Sequence, residues 1–165
     1  MRRTLLLMRH AKSAYPAGVA DHDRPLAPRG IREAGLAGEW LHSYAPRIDA
    51  VRCSTATRAR ATLEHTGLDA PVMFCERLYD AVPTTVIGVI NGVPEDAVTL
   101  LLIGHEPAIG QVSLALADAK DSNETASQQI STKFPTSAIA VLRTGEPWRR
   151  LELGGAALVG FHVPR

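Results

Sequence analysis

Three short segments carry the residues of this chain best suited to chemistry: Arg9-His10, Ser54-Thr55-Ala56-Thr57-Arg58 and Gly104-His105-Glu106-Pro107. Two guanidinium groups, each a rigid fork of donors, match the oxygens of a phosphoryl group. A neutral imidazole beside them is a competent nucleophile toward phosphorus, and neighbouring positive charge helps keep its lone pair free. His10 is the candidate nucleophile, because it follows an apolar run directly and would be held rigidly for in-line attack. His105 precedes a helical segment whose first N–H groups favour an anion. In its protonated form it would stabilise charge on the transferring oxygens. Taken singly, each segment has a plainer explanation: a structural histidine, a solvated arginine in a Ser/Thr-rich turn, a simple Gly-His-Glu turn. Their joint occurrence after apolar runs is what points to a site.

Such a set needs elements that bring distant residues to one edge. Apolar runs at Thr4 to Met8, Ala50 to Cys53, Pro71 to Phe74, Val98 to Ile103 and Ala138 to Leu142 read as strands buried on both faces, as in a parallel sheet. Residues 29 to 45 place Ile31, Ala34, Ala37, Gly38, Leu41 and Tyr44 at helical spacing, with Arg32, Glu33, Glu39 and His42 on the remaining faces, an amphipathic pattern. Pro28 suits a first helical turn, whereas Ala27 at the cap position lacks a side-chain oxygen, an omission costing about 0.5 to 2 kcal/mol. Further helices are expected at Thr57 to Thr66, Pro83 to Ile90 and Pro107 to Ala117. The polar stretch 118–137 reads as a solvated connection, with a helix extension or a flap over the site as alternatives. Trp148 to Pro164 reads as a last strand and tail, with Gly154-Gly155 as a turn. This alternation predicts an α/β three-layer sandwich with a mostly parallel central sheet and helices on both faces, as one domain over residues 1–165. Ligands of such sheets bind outside the carboxyl ends of the strands, where all three segments fall.

Composition narrows the class. The 165 residues are 45% hydrophobic and 21% charged, with 18 Lys and Arg against 17 Asp and Glu. A chain of this size buries about 70% of its unfolded surface, enough for one core without disulfides or structural metal. Disordered and collagen-like classes are excluded. The longest strongly apolar runs, Leu5 to Met8 and Leu100 to Ile103, fall far short of the roughly 18 residues of a membrane span. The stretch after Arg2 and Arg3 is too short for a signal peptide, so a cytoplasmic location is expected. Charge is uneven: residues 1–60 carry 11 Lys and Arg against 5 Asp and Glu, net +6, and the remainder is net −5. The basic part reads as a solvated face, a nucleic-acid patch or an anion site, and count alone does not choose. Cys53 and Cys75 fit neither a disulfide framework nor a zinc spacing and read as small buried hydrophobes. The spacing of a cysteine-dependent phosphatase is also absent: Arg58 follows Cys53 one position too soon, and Ala81 stands where Cys75 would need arginine.

In order and spacing, Arg9-His10 after a leucine-rich first strand, Ser54 to Arg58 after the second and Gly104-His105-Glu106-Pro107 after a later one resemble the three signature segments of the histidine phosphatase superfamily. Lys12 and Ser13, the Asp23-Arg24-Pro25-Leu26 segment followed by Pro28-Arg29-Gly30, the Leu78-Tyr79-Asp80-Ala81 segment and the short chain further resemble its SixA-like phosphohistidine phosphatases. The resemblance spans about Thr4 to Pro164. It implies a phosphoglycerate-mutase-like fold and a phosphatase that requires no metal or cofactor. In that scheme His10 takes the phosphoryl group, giving a phosphohistidine intermediate that water hydrolyses, and Arg9, Arg58 and His105 form the phosphate pocket. The implied substrate is a phosphorylated protein carrying phosphohistidine. A small-molecule phosphomonoesterase and a non-catalytic phosphoprotein-binding module are the alternatives, and neither nucleic acid nor membrane is an implied partner. A phosphoglycerate mutase is disfavoured, since the chain lacks room for the insertions that enclose that substrate. Relatives acting on alcohol phosphates place an acidic residue after the third strand. Here Glu76 and Asp80 are the nearby carboxylates and stand as candidate proton donors, although Asp80 reads equally well as a surface turn residue. Arg24 is a candidate substrate ligand, or a partner for an acid of Asp21-His22-Asp23. That run reads as a solvated loop at the pocket mouth, because three consecutive side chains do not easily converge on one ion. His42, His65 and His162 read as structural or exposed, and Trp40 and Trp148 as core residues.

Overall fold

In a computed structural model describing residues 1–165, the apolar runs form the strands of one six-stranded sheet. They are β1 (Arg3–Arg9), β2 (Ala50–Ser54), β3 (Val72–Cys75), β4 (Thr99–Gly104), β5 (Ile139–Thr144) and β6 (Ala157–His162), in the spatial order β3-β2-β4-β1-β5-β6. The first four are mutually parallel, and β5 runs antiparallel to both β1 and β6. The helices are α1 (Pro28–Tyr44), α2 (Thr57–Thr66), α3 (Pro83–Asn91), α4 (Ala108–Leu116) and α5 (Glu124–Thr132).

Successive side chains of a strand point to opposite faces, and the leucine-rich runs of β1 and β4 use both. Leu5, Leu7, Leu100, Leu102, Ala140 and Leu142 pack with Val89 and Ile90 of α3, Ile109 and Val112 of α4, and Ile130 of α5. Leu6, Met8, Leu101, Ile103, Val51 and Cys53 pack with Ala37 and Leu41 of α1 and Ala59 and Leu63 of α2. The sheet therefore lies between two helical layers, as the alternation of runs predicts. Two glycines bring α1 unusually close to its neighbours. A Cβ at Gly30 would stand 2.1 Å from the Lys12 carbonyl oxygen, and one at Gly38 2.1 Å from the Thr66 carbonyl oxygen at the end of α2.

Four expectations are corrected. Val72, Met73 and Phe74 are not buried on both faces, because β3 is an edge strand and they remain 39, 55 and 41% exposed. Residues 118–137 are not a plain solvated connection but contain α5. Asn123 caps it, accepting from the Ala126 N–H at 2.9 Å, and Ala126 and Ile130, one turn apart, are buried. Trp148 is fully buried with its indole N–H on the Ala97 carbonyl at 2.7 Å, but Trp40 stays half-buried and stacks with Tyr44 and His162 at ring separations of 4.7 and 4.3 Å. Cys53 is buried, while Cys75, on the edge strand, is only partly so. No helix is long and apolar enough to cross a membrane.

Candidate active site

Strands β2, β4, β1 and β5 are consecutive neighbours in the sheet, and their ends on one edge supply the site in that order. Ser54 ends β2 and Arg58 lies in the first turn of α2; His105 follows β4; Arg9 ends β1 and His10 follows it. Because β5 is antiparallel, it presents its beginning at this edge, where the Ser137 N–H donates to the carbonyls of Arg9 and His10, both at 3.1 Å. The loop after β1 is tied to α2 by Thr62, whose hydroxyl accepts from the Ala11 N–H at 2.9 Å and donates to the Arg58 carbonyl at 2.7 Å. One buried side chain thus fastens the loop that carries His10 to the helix that carries Arg58.

Arg9, His10, Arg58 and His105 line a single pocket of about 190 Å³, together with Arg24. Lys12, Ser13, Tyr15, Glu106 and Thr136 complete its wall. A larger cleft of about 680 Å³ lies at the far end of α1 and holds none of these residues. The rings of His10 and His105 are 5.0 Å apart, centre to centre. The His10 Nδ1 is 2.7 Å from the Ala11 carbonyl oxygen. A carbonyl only accepts, so Nδ1 carries the proton and Nε2 keeps its lone pair. Burial, reinforced by His105, Arg58 and Arg9, holds the His10 pKa down to about 3. His105 is likewise lowered to about 4, by burial first and then by Arg58. Both imidazoles are therefore neutral near pH 7, so the condition under which His105 would act as a protonated stabiliser is not met in this arrangement. Burial also lowers Arg9 from its ordinary value, and its Nη1 donates to the Phe134 carbonyl at 2.9 Å.

Asp21 holds a position that its local sequence does not disclose. Its carbonyl accepts from Arg58 Nη1 at 2.7 Å and its carboxylate from Arg58 Nη2 at 3.1 Å. The same carboxylate receives Arg24 Nε at 3.1 Å and the Tyr79 hydroxyl. These bonds, Tyr79 foremost and then Arg58, hold its pKa well below the usual carboxylate range. The Asp21-His22-Asp23 run is a short 3₁₀ turn that anchors two of the three pocket arginines, Arg24 and Arg58, rather than a free loop. Arg24 is fixed further by Ser13 Oγ at 2.6 Å and by the Tyr15 ring, 4.1 Å from its guanidinium carbon.

The two sequence-derived proton donors are not brought to the pocket wall. Glu76 and Asp80 are both exposed, Asp80 in a left-handed turn at φ 56°. The carboxylate that does line the wall is Glu106. Burial raises its pKa, and it accepts from the Gly110 N–H inside α4. No group of three or more His, Cys, Asp or Glu side chains is arranged to hold a metal ion. Residues that local reading passed over are Tyr15 and Thr136, whereas Glu106 belongs to the segment of His105 but is given no role there.

Comparison with known proteins places this geometry in a family. Residues 5–81 match the histidine phosphatase superfamily (branch 1). An uncharacterised protein of Mycobacterium tuberculosis is 61% identical over 158 residues, 96% of this chain and all of that one. A solved structure described as a phosphohistidine phosphatase SixA from Nakamurella multipartitia superposes with a TM-score of 0.91 at 38% identity, covering 99% of this chain and 97% of its own. The protein histidine phosphatase SixA complexed with tungstate superposes at 0.74 with 25% identity, over 98% and 97% of the two chains. The chain belongs to the histidine phosphatase superfamily. It has the phosphoglycerate-mutase-like fold of its SixA neighbours and is a phosphatase, acting on a phosphorylated substrate.

Proposed function

We propose that this phosphatase hydrolyses phosphohistidine on a protein, with His10 as nucleophile and Arg9, Arg58, His105 and Arg24 as ligands of the phosphoryl group. The observation that carries the reading is the His10 Nδ1–H bond to the Ala11 carbonyl. It leaves Nε2 unprotonated within a ring of cations. Arg9 Nε, Arg58 Nε and His105 Nδ1 are buried without any partner in the protein, and unpaired buried donors of this kind suit an incoming oxyanion. That a neighbouring SixA is complexed with tungstate, a tetrahedral oxyanion like phosphate, supports an oxyanion as the ligand.

In the first step the His10 Nε2 lone pair forms a bond to phosphorus as the P–N bond of the substrate breaks, its electron pair going to the substrate ring nitrogen. If the other substrate nitrogen carries a proton, the imidazole leaves neutral and no further proton need be delivered. In the second step water attacks phosphorus and loses a proton to solvent. The Nε2–P bond breaks, returning the lone pair to His10 and releasing orthophosphate. The arginines and His105 stabilise charge on the three transferring oxygens in both steps. This chemistry favours a P–N bond over an alcohol phosphate. An alkoxide leaving group needs an acid, and neither Glu76 nor Asp80 lines the wall, which leaves Glu106, held at one oxygen by the Gly110 N–H, as the one carboxyl an alcohol phosphate could use.

Rapid acid quench with a labelled phosphodonor is expected to trap acid-labile, base-stable label on His10. The substitution His10→Ala is expected to abolish both label and turnover while leaving the circular dichroism spectrum unchanged. Normal activity of that variant refutes the nucleophile. Rates on a phosphohistidine protein, a small phosphoramidate and several sugar phosphates test the substrate, and a clear preference for a sugar phosphate reverses the assignment.

A further inference from the structure

The proposed mechanism uses His105 as a neutral ligand of the phosphoryl group, and a neutral imidazole can donate only from the nitrogen that holds its proton. His105 Nε2 lies 2.7 Å from Ser54 Oγ, and the Ala56 N–H donates to that same oxygen at 3.2 Å. Ser54 is fully buried and His105 is 8% exposed, so neither completes its bonding with bulk solvent. Two proton arrangements are open. If Nε2–H donates to Ser54, the hydroxyl receives two hydrogen bonds and its own proton has no acceptor, while Nδ1 becomes a bare buried lone pair beside Arg9 and Arg58. If instead the Ser54 hydroxyl donates to Nε2, every group of the chain from Ala56 N–H through Ser54 to Nε2 is satisfied. One group is then left over: an Nδ1–H that has no partner in the protein. Buried polar groups left unpaired are costly, and the second arrangement leaves fewer of them.

We infer that Ser54 is a positioning residue that sets the tautomer of His105, so that Nδ1–H is the donor offered to a phosphoryl oxygen. This rests on the reading of the pocket as a phosphoryl site. It also goes beyond it, because it assigns the proton to a named atom and gives the buried serine at the end of β2 a task. The low pKa of His105, about 4, supports a neutral donor over an imidazolium. The arrangement mirrors that at His10. There a carbonyl acceptor at Nδ1 frees Nε2 to attack; at His105 a hydroxyl donor at Nε2 frees Nδ1–H to bind. One backbone oxygen and one serine thus give two chemically identical side chains opposite roles.

Long-range ¹H–¹⁵N correlation of the imidazole nitrogens tests the assignment directly on the wild-type enzyme at about pH 7. The expected pattern for His105 is a protonated Nδ1 and an unprotonated Nε2, and for His10 the same nitrogens in the same states. A protonated Nε2 on His105 overturns the inference whatever the enzyme hydrolyses. In Ser54→Ala, the His105 pattern is expected to lose its single-tautomer character. The kcat/KM on a small phosphoramidate is expected to fall by about 10- to 100-fold, less than the roughly 100- to 1000-fold cost of removing a charge-stabilising donor outright, because the imidazole itself stays in place. An unchanged tautomer with unchanged kcat/KM in that variant also overturns it. Wild-type protein that hydrolyses no phosphorylated substrate defeats the proposed reaction instead, and the spectrum still reads the tautomer.

Discussion

At the scale of single residues, the site depends on two histidines kept uncharged by burial among cations, and this has a consequence for stability. With folded pKa values of about 3 for His10 and about 4 for His105 against an ordinary 6.5, the unfolded chain binds protons that the native state does not. Stability then rises with pH across the window from about 4 to 6.5, and is lost as pH falls through it. Each histidine contributes a slope of up to about 1.4 kcal/mol per pH unit inside the window. Urea unfolding of the wild type at about pH 7, 6 and 5 is expected to show a midpoint that drops with acidity. The substitution His10→Gln removes one of these contributions and is expected to make the slope shallower, the remainder coming from His105 and from His162, which burial also lowers. Equal slopes in the two proteins would mean that His10 is not held neutral.

At the scale of elements, α1 positions the loop after β1 by backbone contact, and Gly30 and Gly38 separate that task from simple packing. Each replacement by alanine drives a Cβ into a carbonyl oxygen, and overpacking of this kind costs about 1 to 3 kcal/mol. Gly38→Ala presses on the end of α2, away from the pocket, and is expected to lower the unfolding midpoint while leaving kcat/KM of the folded enzyme near wild type. Gly30→Ala presses on Lys12, a pocket residue, and is expected to lower both. Similar kcat/KM in the two variants would refute the role given to α1. The same distinction between backbone pattern and side-chain contact governs what could be read from sequence. The strands of the centre were legible because Leu5 to Met8 and Leu100 to Ile103 are apolar on both faces, and Arg9, His10 and His105 because they follow those runs within two residues, with Arg58 a few residues after the Ala50 to Cys53 run. The Asp21–Arg58 pair spans 37 positions and has no periodic signature. Helix α5 was hidden by its polarity, since it buries only Ala126 and Ile130. Its Asn123 cap followed by Glu124 in the first turn was the usable signal. The exposure of β3 depends on its place at the sheet edge, which no local run of residues specifies.

At the scale of the whole molecule, a net charge of +1 conceals a pocket that draws Arg9, Lys12, Arg24 and Arg58 to one wall against the carboxylate of Glu106. Two of these cations are partly balanced by Asp21, so the field is strong locally and weak at a distance. A concentrated field of this kind steers a small dianion and does little for a long polyanion, whose many phosphates need an extended basic face. Raising ionic strength from about 10 to about 150 mM shortens the screening length from about 30 Å to about 8 Å. The kcat/KM on a small dianionic phosphoramidate is therefore expected to fall several-fold over that range. The kcat is expected to stay level, because contacts inside the buried pocket are screened far less than the approach to it. A single-stranded oligonucleotide is expected to show no retention even at the lower salt. If the oligonucleotide binds with a steep salt dependence while kcat/KM stays flat, the basic first part of the chain serves an extended polyanion, and the reading of a local phosphoryl pocket fails.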